Sequence, residues 1–301
     1  VYDKSGIEDF ARSLVELGWQ VYASGGTAKA IEAAGVAVSD VTELVGGGAI
    51  LGHRVVTLSR EISAGLLADK SSSEDIAEMA ELKLPYIDLV CVDMYPLEEA
   101  IAKPGSTKQD VITQTDIGGP TMLRSAAKGR RIVLSHAEQR QPVIDWLKAD
   151  KPSEEEFVDK LAARAEYEAA RYIVASAKYL NGTTVSGSLA RLASPTKYGE
   201  NPQQAEAGLY ADNRVGIDAL GIDQFEHVQG MERSYINITD IDRLLQTVTH
   251  IAAGFDTNFG KVPFIAVGVK HGNACGAAIG ETAVEAIQKM LLGDTRAIFG
   301  G

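Results

Sequence analysis

Residues 20–34 read QVYASGGTAKAIEAA, and this stretch predicts a strand, a tight turn and a helix in immediate succession. The apolar residues Val21 to Ala23 are typical of a strand that ends at the turn. Gly25 and Gly26, which follow Ser24, let backbone N–H groups point outward without a Cβ in the way. We expect the helix to open at Thr27, whose hydroxyl can cap it.

A turn of this kind can bind a phosphate. The N-terminus of a helix carries partial positive charge and unpaired N–H groups, and both attract anions. In open α/β sheets such turns lie at the carboxyl ends of the strands, where ligands bind. The tetrapeptide Ser-Gly-Gly-Thr also fits an ordinary turn between a strand and a helix, so at this point both interpretations stay open.

The segments on either side repeat the order of strand and helix. Val1 and Tyr2 resemble the end of a strand, and residues 7–15 place apolar side chains at helical spacing. Residues 36–41 and the apolar run IDLVCV at residues 87–92 are predicted strands. This alternation predicts an α/β fold built on a doubly wound parallel sheet.

A change of composition marks a domain boundary. Residues 154–180 predict one long helix, which starts after Pro152 and Ser153 with three glutamates in its first turn. Residues 181–194 are rich in Gly, Ser and Thr. We therefore predict one domain over residues 1–190 and a second over 191–301, the latter with a helix from about 240 to 253 and a strand at 264–269.

Composition excludes several classes of function. Of the 301 residues, 45% are hydrophobic and 23% are charged, as in a globular protein, and no apolar run approaches the ~18 residues of a membrane span. The net charge of −12 argues against non-specific nucleic-acid binding. Cys91 and Cys275 are isolated thiols, which fits a reducing cytoplasm. We expect a cytoplasmic protein with neither nucleic acid nor a membrane as partner.

Several cationic or donor-rich residues lie next to glycine-bearing turns at one predicted edge of the sheet. They are Lys4, the Ser24 to Thr27 turn, Arg54 with Thr57, and Lys128. Tyr95 and Asp116 are expected at the same edge. Taken alone, Tyr95 is equally a turn aromatic and Asp116 a helix cap.

Lys270 and His271 form a second candidate centre. They end an apolar strand and precede Gly272. A histidine there suits acid and base catalysis near neutral pH, and the ammonium can stabilise developing negative charge. A buried structural histidine beside a lysine with a solvent-reaching ammonium is the alternative. The remaining histidines lack comparable neighbours and are predicted to be structural: His53, His136, His227 and His250.

Seven segments together resemble one family, the bifunctional purine-biosynthesis proteins that are both aminoimidazolecarboxamide ribonucleotide (AICAR) formyltransferase and inosine monophosphate (IMP) cyclohydrolase. The segments are DKSGIEDFAR, ASGGTAKAIEAAGV, DMYPLEEAI, TDIGGPTMLRSAAK, KYGENPQQ, QGMERSYINITDID and VKHGNACGAA. They occur in the family's order. The final IFGG resembles a family segment well short of the family's carboxyl end, so we expect a complete first domain and a partial second one.

The resemblance implies a fold and two activities. The first domain would be similar in fold to methylglyoxal synthase, which is a doubly wound α/β sheet. This domain would close formyl-AICAR to IMP and would need no metal for that step. The second would be the start of a cytidine-deaminase-like α/β domain that transfers a formyl group from 10-formyltetrahydrofolate to AICAR. The resemblance also implies a homodimer, and small purine nucleotide precursors as its ligands.

The resemblance assigns roles to residues of the matching motifs. In the first domain, the implied substrate-binding residues are Lys4, Ser24, Gly25, Gly26, Thr27, Arg54, Thr57, Ile117 and Gly118, and the implied catalytic residues are Lys128, Tyr95 and Asp116. In the second domain, Lys270 and His271 would assist formyl transfer, and Tyr198 and Asn201 would bind substrate.

This sequence departs from the family pattern at the edges of these motifs. Val56 replaces a lysine of the cyclohydrolase site, and Asp93 replaces an asparagine. The other departures are Tyr2, Ser59, Ser63, Lys197, Gln203 and Met231. A divergent active enzyme and a catalytically weakened purine-nucleotide-binding paralogue therefore both stay open. A lyase of the methylglyoxal-synthase type acting on a small phosphoester is a third interpretation, and the match through Lys270 and His271 counts against it, because a free-standing lyase would have no second domain.

Overall fold

The computed structural model describes residues 1–51, 55–211, 220–230 and 232–301. The chain divides into two compact units, Val1–Gly187 (unit 1) and Ser188–Gly301 (unit 2). Both units combine helices with strands, which confirms the predicted α/β class.

Unit 1 combines short strands with helices. Val1 and Tyr2, predicted to end a strand, lie in irregular backbone before α1. Its helices are α1 Ile7–Glu16, α2 Gly25–Ala33, α3 Thr42–Val45, α4 Arg60–Leu67, α5 Ser73–Leu82, α6 Leu97–Ala102, α7 Lys108–Gln114, α8 Gly118–Lys128, α9 Arg140–Lys148 and α10 Glu154–Asn181. Its strands are β1 Tyr22–Ala23, β2 Ser39–Asp40, β3 Leu89–Cys91 and β4 Ile132–Leu134.

The strands of unit 1 pair in parallel. Tyr22 of β1 lies opposite Ser39 of β2, and Leu89 of β3 lies opposite Ile132 of β4. The strand expected over residues 36–41 is much shorter, because the Val36 N–H donates to the Ile31 carbonyl at the end of α2 and does not join the ladder.

The two parallel pairs are separate sheets in the part of the chain that the structure describes. A cavity of about 520 Å³ is lined by residues 17–24 beside β1 and by residues 85–92 around β3. The hydrogen-bonded ladder therefore does not continue from β1 to β3. One continuous doubly wound sheet stays a prediction.

The core of unit 1 packs around β4, whose three residues are all buried. Helix α1 contributes Ile7, Phe10 and Leu14 from one face, as the helical spacing predicted. In the same core, Trp146 stacks on Phe157 with ring centroids 4.5 Å apart. Its indole N–H also donates to the Pro152 carbonyl at 2.9 Å, so α9 is fixed to the start of α10.

Helix α10, predicted over 154–180, spans residues 154–181 and carries a buried carboxylate. Glu168 accepts hydrogen bonds from Arg164 Nε at 2.8 Å and from Arg171 Nε at 3.1 Å. His136 Nε2 lies 3.8 Å from the same carboxylate, and Glu138 pairs with Arg164. Burial lowers the pKa of His136, while the charge of Glu168 opposes that shift. These residues form the Glu168 cluster.

In its described residues, unit 2 has two antiparallel strand pairs and two main helices. Its elements are β5 Arg191–Pro195, β6 Gly208–Ala211, α11 Tyr235–Phe259, β7 Phe264–Lys270, β8 Asn273–Gly280 and α12 Ala283–Gly293. Strand β5 pairs with β6, and β7 with β8.

The β7–β8 hairpin is the centre of unit 2. Helices α11 and α12 both pack on it, with Ala266, Val269 and Ala286 among the buried residues. Helix α11 is longer at both ends than the predicted 240–253, because the Ser234 hydroxyl and Asn237 form a capping box and Gly260 ends the helix in a left-handed conformation. The cytidine-deaminase-like description of this unit stays a prediction.

Candidate functional site

The glycine turn of the first unit is the start of α2. The helix begins at Gly25, two residues before the expected Thr27, and Ser24 is the extended residue that precedes it. Thr27 is therefore inside the first turn and is not the cap, because its own N–H is bonded to the Ser24 carbonyl at 3.2 Å. The first N–H groups of α2 have no partner within the helix and can meet an anion.

Lys4 lies over this helix start. Its Cε is 3.4 Å and its Nζ 4.0 Å from the point where a Cβ on Gly26 would lie. The ammonium is exposed, and among the described residues its hydrogen bonds are long, at 3.4 Å, to the carbonyls of Val1 and Tyr2. The positively charged Lys4 side chain thus lies next to the N-terminus of α2.

The hydroxyls of Ser24, Thr27 and Thr57 belong to residues that line the 520 Å³ cavity. Thr57 also approaches α8, since its Oγ1 is 3.2 Å from the place of a Cβ on Gly118. Thr57 thus lies beside the start of α8 and lines the same cavity as Ser24 and Thr27. That the starts of α2 and α8 form one site stays a prediction. The predicted Arg54 lies outside the described residues.

Asp116 is held at the start of α8 by two hydrogen bonds. Its Oδ1 accepts the N–H of Gly119 at 3.0 Å, and its own N–H donates to the Tyr172 hydroxyl at 2.6 Å. Burial raises the pKa of Tyr172. Sequence reasoning missed this tyrosine of α10, because it is 56 residues away in the chain and has no local motif.

Gly119 has no space for a side chain. A Cβ at this position would lie 2.4 Å from Asp116 Oδ2 and 3.2 Å from Met94 Cγ. The helix start can therefore pack against Asp116 only with glycine there. Ile117, which follows Asp116, is 61% exposed and is available to a ligand.

Tyr95 and Lys128 differ in their relation to this centre. The Tyr95 ring is exposed and meets the Tyr2 ring edge-on, with centroids 5.5 Å apart. Lys128 is the last residue of α8, roughly 15 Å along the helix axis from Gly118 at 1.5 Å per residue. Within a single chain, Lys128 therefore lies far from Asp116, although both were expected at the same edge of the sheet.

The departures from the family pattern have structural partners. Ser59 caps α4 by accepting the N–H of Ile62 at 3.1 Å, and Ser63 donates to the Ser59 carbonyl at 2.8 Å. Val56 is half-buried and packs against the core of unit 1. Met231 lies outside the described residues.

In unit 2, Lys270 and His271 lie where β7 turns into β8. His271 and Gly272 form a two-residue turn with φ values of 52° and 71°, and the Gly272 N–H donates to Asp240 at 2.7 Å. The His271 side chain is exposed, which contradicts the buried structural alternative. The Lys270 ammonium donates to the Phe299 carbonyl at 2.8 Å.

Tyr198 and Asn201 lie in the connection between β5 and β6. The Tyr198 carbonyl accepts a hydrogen bond from Thr196, and the Asn201 N–H donates to the Gln204 side chain at 2.8 Å. These contacts fold residues 199–204 into a tight turn. They leave the Asn201 side chain exposed.

No helix in the described ranges is long and apolar enough to cross a membrane. Within the same ranges, no three His, Cys, Asp or Glu side chains converge in a way that could hold a metal ion.

Comparison with known protein families defines the class of each part. Residues 6–121, which contain the starts of α2 and α8, match the MGS-like domain. Residues 126–301 match the family described as the AICARFT/IMPCHase bienzyme. The chain belongs to this family, which confirms the resemblance of its motifs.

Curated relatives agree over the whole chain. The bifunctional purine biosynthesis protein PurH of Rhodopirellula baltica is 36% identical over 309 residues, which cover 100% of this chain and 57% of the relative. The PurH of a Cyanothece strain is 38% identical over 311 residues, or 99% of this chain and 58% of the relative. The chain thus spans somewhat over half the length of these relatives.

A solved structure is also similar. The crystal structure of ForH shares 33% sequence identity with this chain at a TM-score of 0.54. The similarity covers 61% of this chain and 95% of ForH.

Proposed function

We propose that unit 1 closes formyl-AICAR to IMP. Two observations carry this proposal. Lys4 lies beside the start of α2, and Thr57, which lines the same cavity as Ser24 and Thr27, lies beside the start of α8 with Asp116. Membership of the bienzyme family and the match of residues 6–121 to the MGS-like domain support it.

The start of α2 would hold the 5′-phosphate. The N–H groups of Gly25 and Gly26 and the Lys4 ammonium supply donors and positive charge, and the hydroxyls of Ser24 and Thr27 add two donors. Arg54 and Thr57 are proposed to complete this phosphate site.

Ring closure would then take place at the start of α8. The carboxamide nitrogen attacks the formyl carbon, and the formyl oxygen becomes a hydroxyl. That hydroxyl leaves as water with the proton of the formamide nitrogen, which forms the C=N bond of the ring. Because an amide is a weak nucleophile, orientation and charge stabilisation must supply most of the rate.

Two side chains are suited to these steps. The Asp116 carboxylate would accept a hydrogen bond from the carboxamide N–H, and Tyr95 would donate its hydroxyl to the formyl oxygen. Ile117 and Gly118 would bind the purine precursor beside them. Lys128 stays a predicted catalytic residue, and no step is assigned to it because it lies at the other end of α8.

The remaining assignments concern the second domain and the whole protein. We propose that Lys270 and His271 assist formyl transfer from 10-formyltetrahydrofolate, and that Tyr198 and Asn201 bind AICAR. Domains at 1–190 and 191–301, a homodimer and a cytoplasmic location belong to the same proposal. Light scattering tests the dimer.

An absorbance assay with formyl-AICAR tests ring closure, with IMP identified by chromatography. Asp116→Asn should lower the rate by about 10²–10³. Asp110→Asn is the matched control, because Asp110 also bonds the start of its own helix but lies in α7. Absence of IMP with a folded chain, or equal rates for the two variants, would contradict the proposal.

Calorimetry tests the phosphate site separately. IMP should bind more tightly than inosine, and Gly26→Glu should abolish that difference by placing a carboxylate beside the helix start. Equal affinity of the parent chain for IMP and inosine would exclude this site.

A further inference from the structure

The loop that carries Lys4 is held by two side chains from distant parts of unit 1. Arg140 donates through Nη1 to the Ser5 carbonyl at 2.6 Å and through Nη2 to the Asp3 carbonyl at 2.7 Å. Asp93 accepts the N–H of Asp3 through Oδ2. Backbone groups on both sides of Lys4 are thus bound by residues 90 and 137 positions away from Asp3.

The two holding residues also neutralise each other. Arg140 Nη2 lies 3.7 Å from Asp93 Oδ1, and their side chains are only 5% and 13% exposed. Asp93 Oδ1 is buried and has no hydrogen-bond partner among the described residues, and the Arg140 guanidinium forms an ion pair with it. A buried charge requires such a partner. The negative charge that Asp93 brings to the site is therefore paired.

The position of this loop decides where the Lys4 ammonium can reach. A lysine has a flexible four-carbon stem, so its charge is useful at one place only if its backbone is fixed. With Asp3 and Ser5 held, the stem passes within 3.4 Å of the Cβ position of Gly26. Release of the loop would let the ammonium leave the start of α2.

We propose that Arg140 and Asp93 are positioning residues that hold the Lys4 loop over the start of α2 and thereby set the affinity for the phosphate of the ligand. This inference rests on the proposed function, because it takes Lys4 and α2 as the phosphate site. Arg140 acts through its planar fork, which reaches two carbonyls at once and which a lysine cannot reproduce.

Calorimetry with IMP and with inosine tests the inference. Lys4→Gln should weaken IMP binding about 10- to 100-fold, the effect of losing a charge-assisted hydrogen bond, and leave inosine binding unchanged. Arg140→Gln should weaken IMP binding about tenfold, again without an effect on inosine. In the Lys4→Gln background, Arg140→Gln should add little, because its effect passes through Lys4.

Two controls separate positioning from general stability. Arg131 is also buried and also donates to two carbonyls, those of Leu66 and Ala68, but it does not touch the loop. Arg131→Gln should lower the melting temperature and leave the ratio of IMP to inosine affinity unchanged. Asp93→Asn combined with Arg140→Gln should recover stability lost to the unpaired charge, yet keep the weak IMP binding.

The outcomes distinguish the inference from the proposed function. If Lys4→Gln has no effect on IMP affinity, the phosphate site itself is wrong. If Lys4→Gln weakens IMP binding but Arg140→Gln does not, or if the Arg140 effect is fully additive, only the positioning role is wrong. Faster amide exchange at Ser5 in Arg140→Gln, and not in Arg131→Gln, would support the role independently of activity.

Discussion

Replacement of Glu168 by glutamine should destabilise unit 1 strongly. The Glu168 side chain is 4% exposed and accepts one hydrogen bond from each of Arg164 and Arg171. Glutamine keeps one acceptor oxygen, but its NH₂ group would face the other guanidinium. One charge-assisted hydrogen bond is lost, which is worth about 1.5–3 kcal/mol, and the negative charge that both arginines share is removed.

The other ion pairs of the cluster limit the loss. Arg171 also pairs with Glu98 and Arg164 with Glu138, so neither arginine is left without a carboxylate. We therefore expect Glu168→Gln to lower the free energy of unfolding by about 2–4 kcal/mol. For a unit of this size, that corresponds to a melting temperature lower by about 5–15 °C.

Glu166→Gln is the matched control for this experiment. Glu166 lies two residues away on α10 and pairs with Arg124 at 3.1 Å, but both side chains are largely exposed, at 45% and 63%. A surface pair of this kind contributes about 1 kcal/mol or less. Scanning calorimetry of both variants at pH 7.5 measures the difference. If they melt within about 2 °C of each other, the cluster does not stabilise the unit as its geometry implies.

Three further predictions concern the site and the cluster. Gly119→Ala should displace the Asp116 carboxylate, which would lie 2.4 Å from the new Cβ, and should reduce the rate of ring closure more than thermal stability. Gly254→Ala, with open space around it, should change neither the rate nor the fold. Equal rates for the two variants in the IMP assay would refute this prediction. Burial holds the pKa of His136 below its ordinary value, so unit 1 should lose stability as pH falls below ~6.5, where the unfolded chain binds the proton more readily. Thermal melts from pH 8 to 5 should show a smaller fall in melting temperature for His136→Asn than for the parent. Parallel curves for the two proteins would contradict this prediction. Val56→Lys would restore the lysine of the family pattern and would raise activity if position 56 faced the phosphate. Because Val56 packs on the core, we expect the variant instead to have a lower melting temperature and no faster ring closure. A faster and equally stable variant would show that position 56 faces the phosphate.

The sequence predicted local elements well where one residue pattern determines them. Helix α10 begins at Glu154 as the Pro-Ser-Glu start signal indicated, and α1 buries the face that its spacing defined. The start of α2 was placed two residues late, because Thr27 resembles a cap while Ser24 takes the extended conformation that precedes a helix. Boundaries depend on backbone angles that side-chain preferences specify only weakly.

Long-range contacts could not be predicted from the sequence. Neither the bond from Asp116 to Tyr172 nor the hold of Arg140 on the Lys4 loop leaves a local signal, since each joins residues far apart in the chain. For the same reason Lys128 was grouped with Asp116 by its motif, although a continuous α8 separates them. Motifs identify residue types, and only the packing of helices decides which of them meet.

Trp146, which stacks on Phe157 in the core of unit 1, has a consequence for fluorescence spectroscopy. Both tryptophans of the chain, Trp19 and Trp146, lie in unit 1, and unit 2 contains only phenylalanine and tyrosine. Excitation at the red edge of indole absorption therefore reports on the melting of unit 1 alone, while far-ultraviolet ellipticity includes α11 and α12 as well. Coincident transitions by both probes would mean that the units unfold as one cooperative block, and separated transitions would give each unit its own stability.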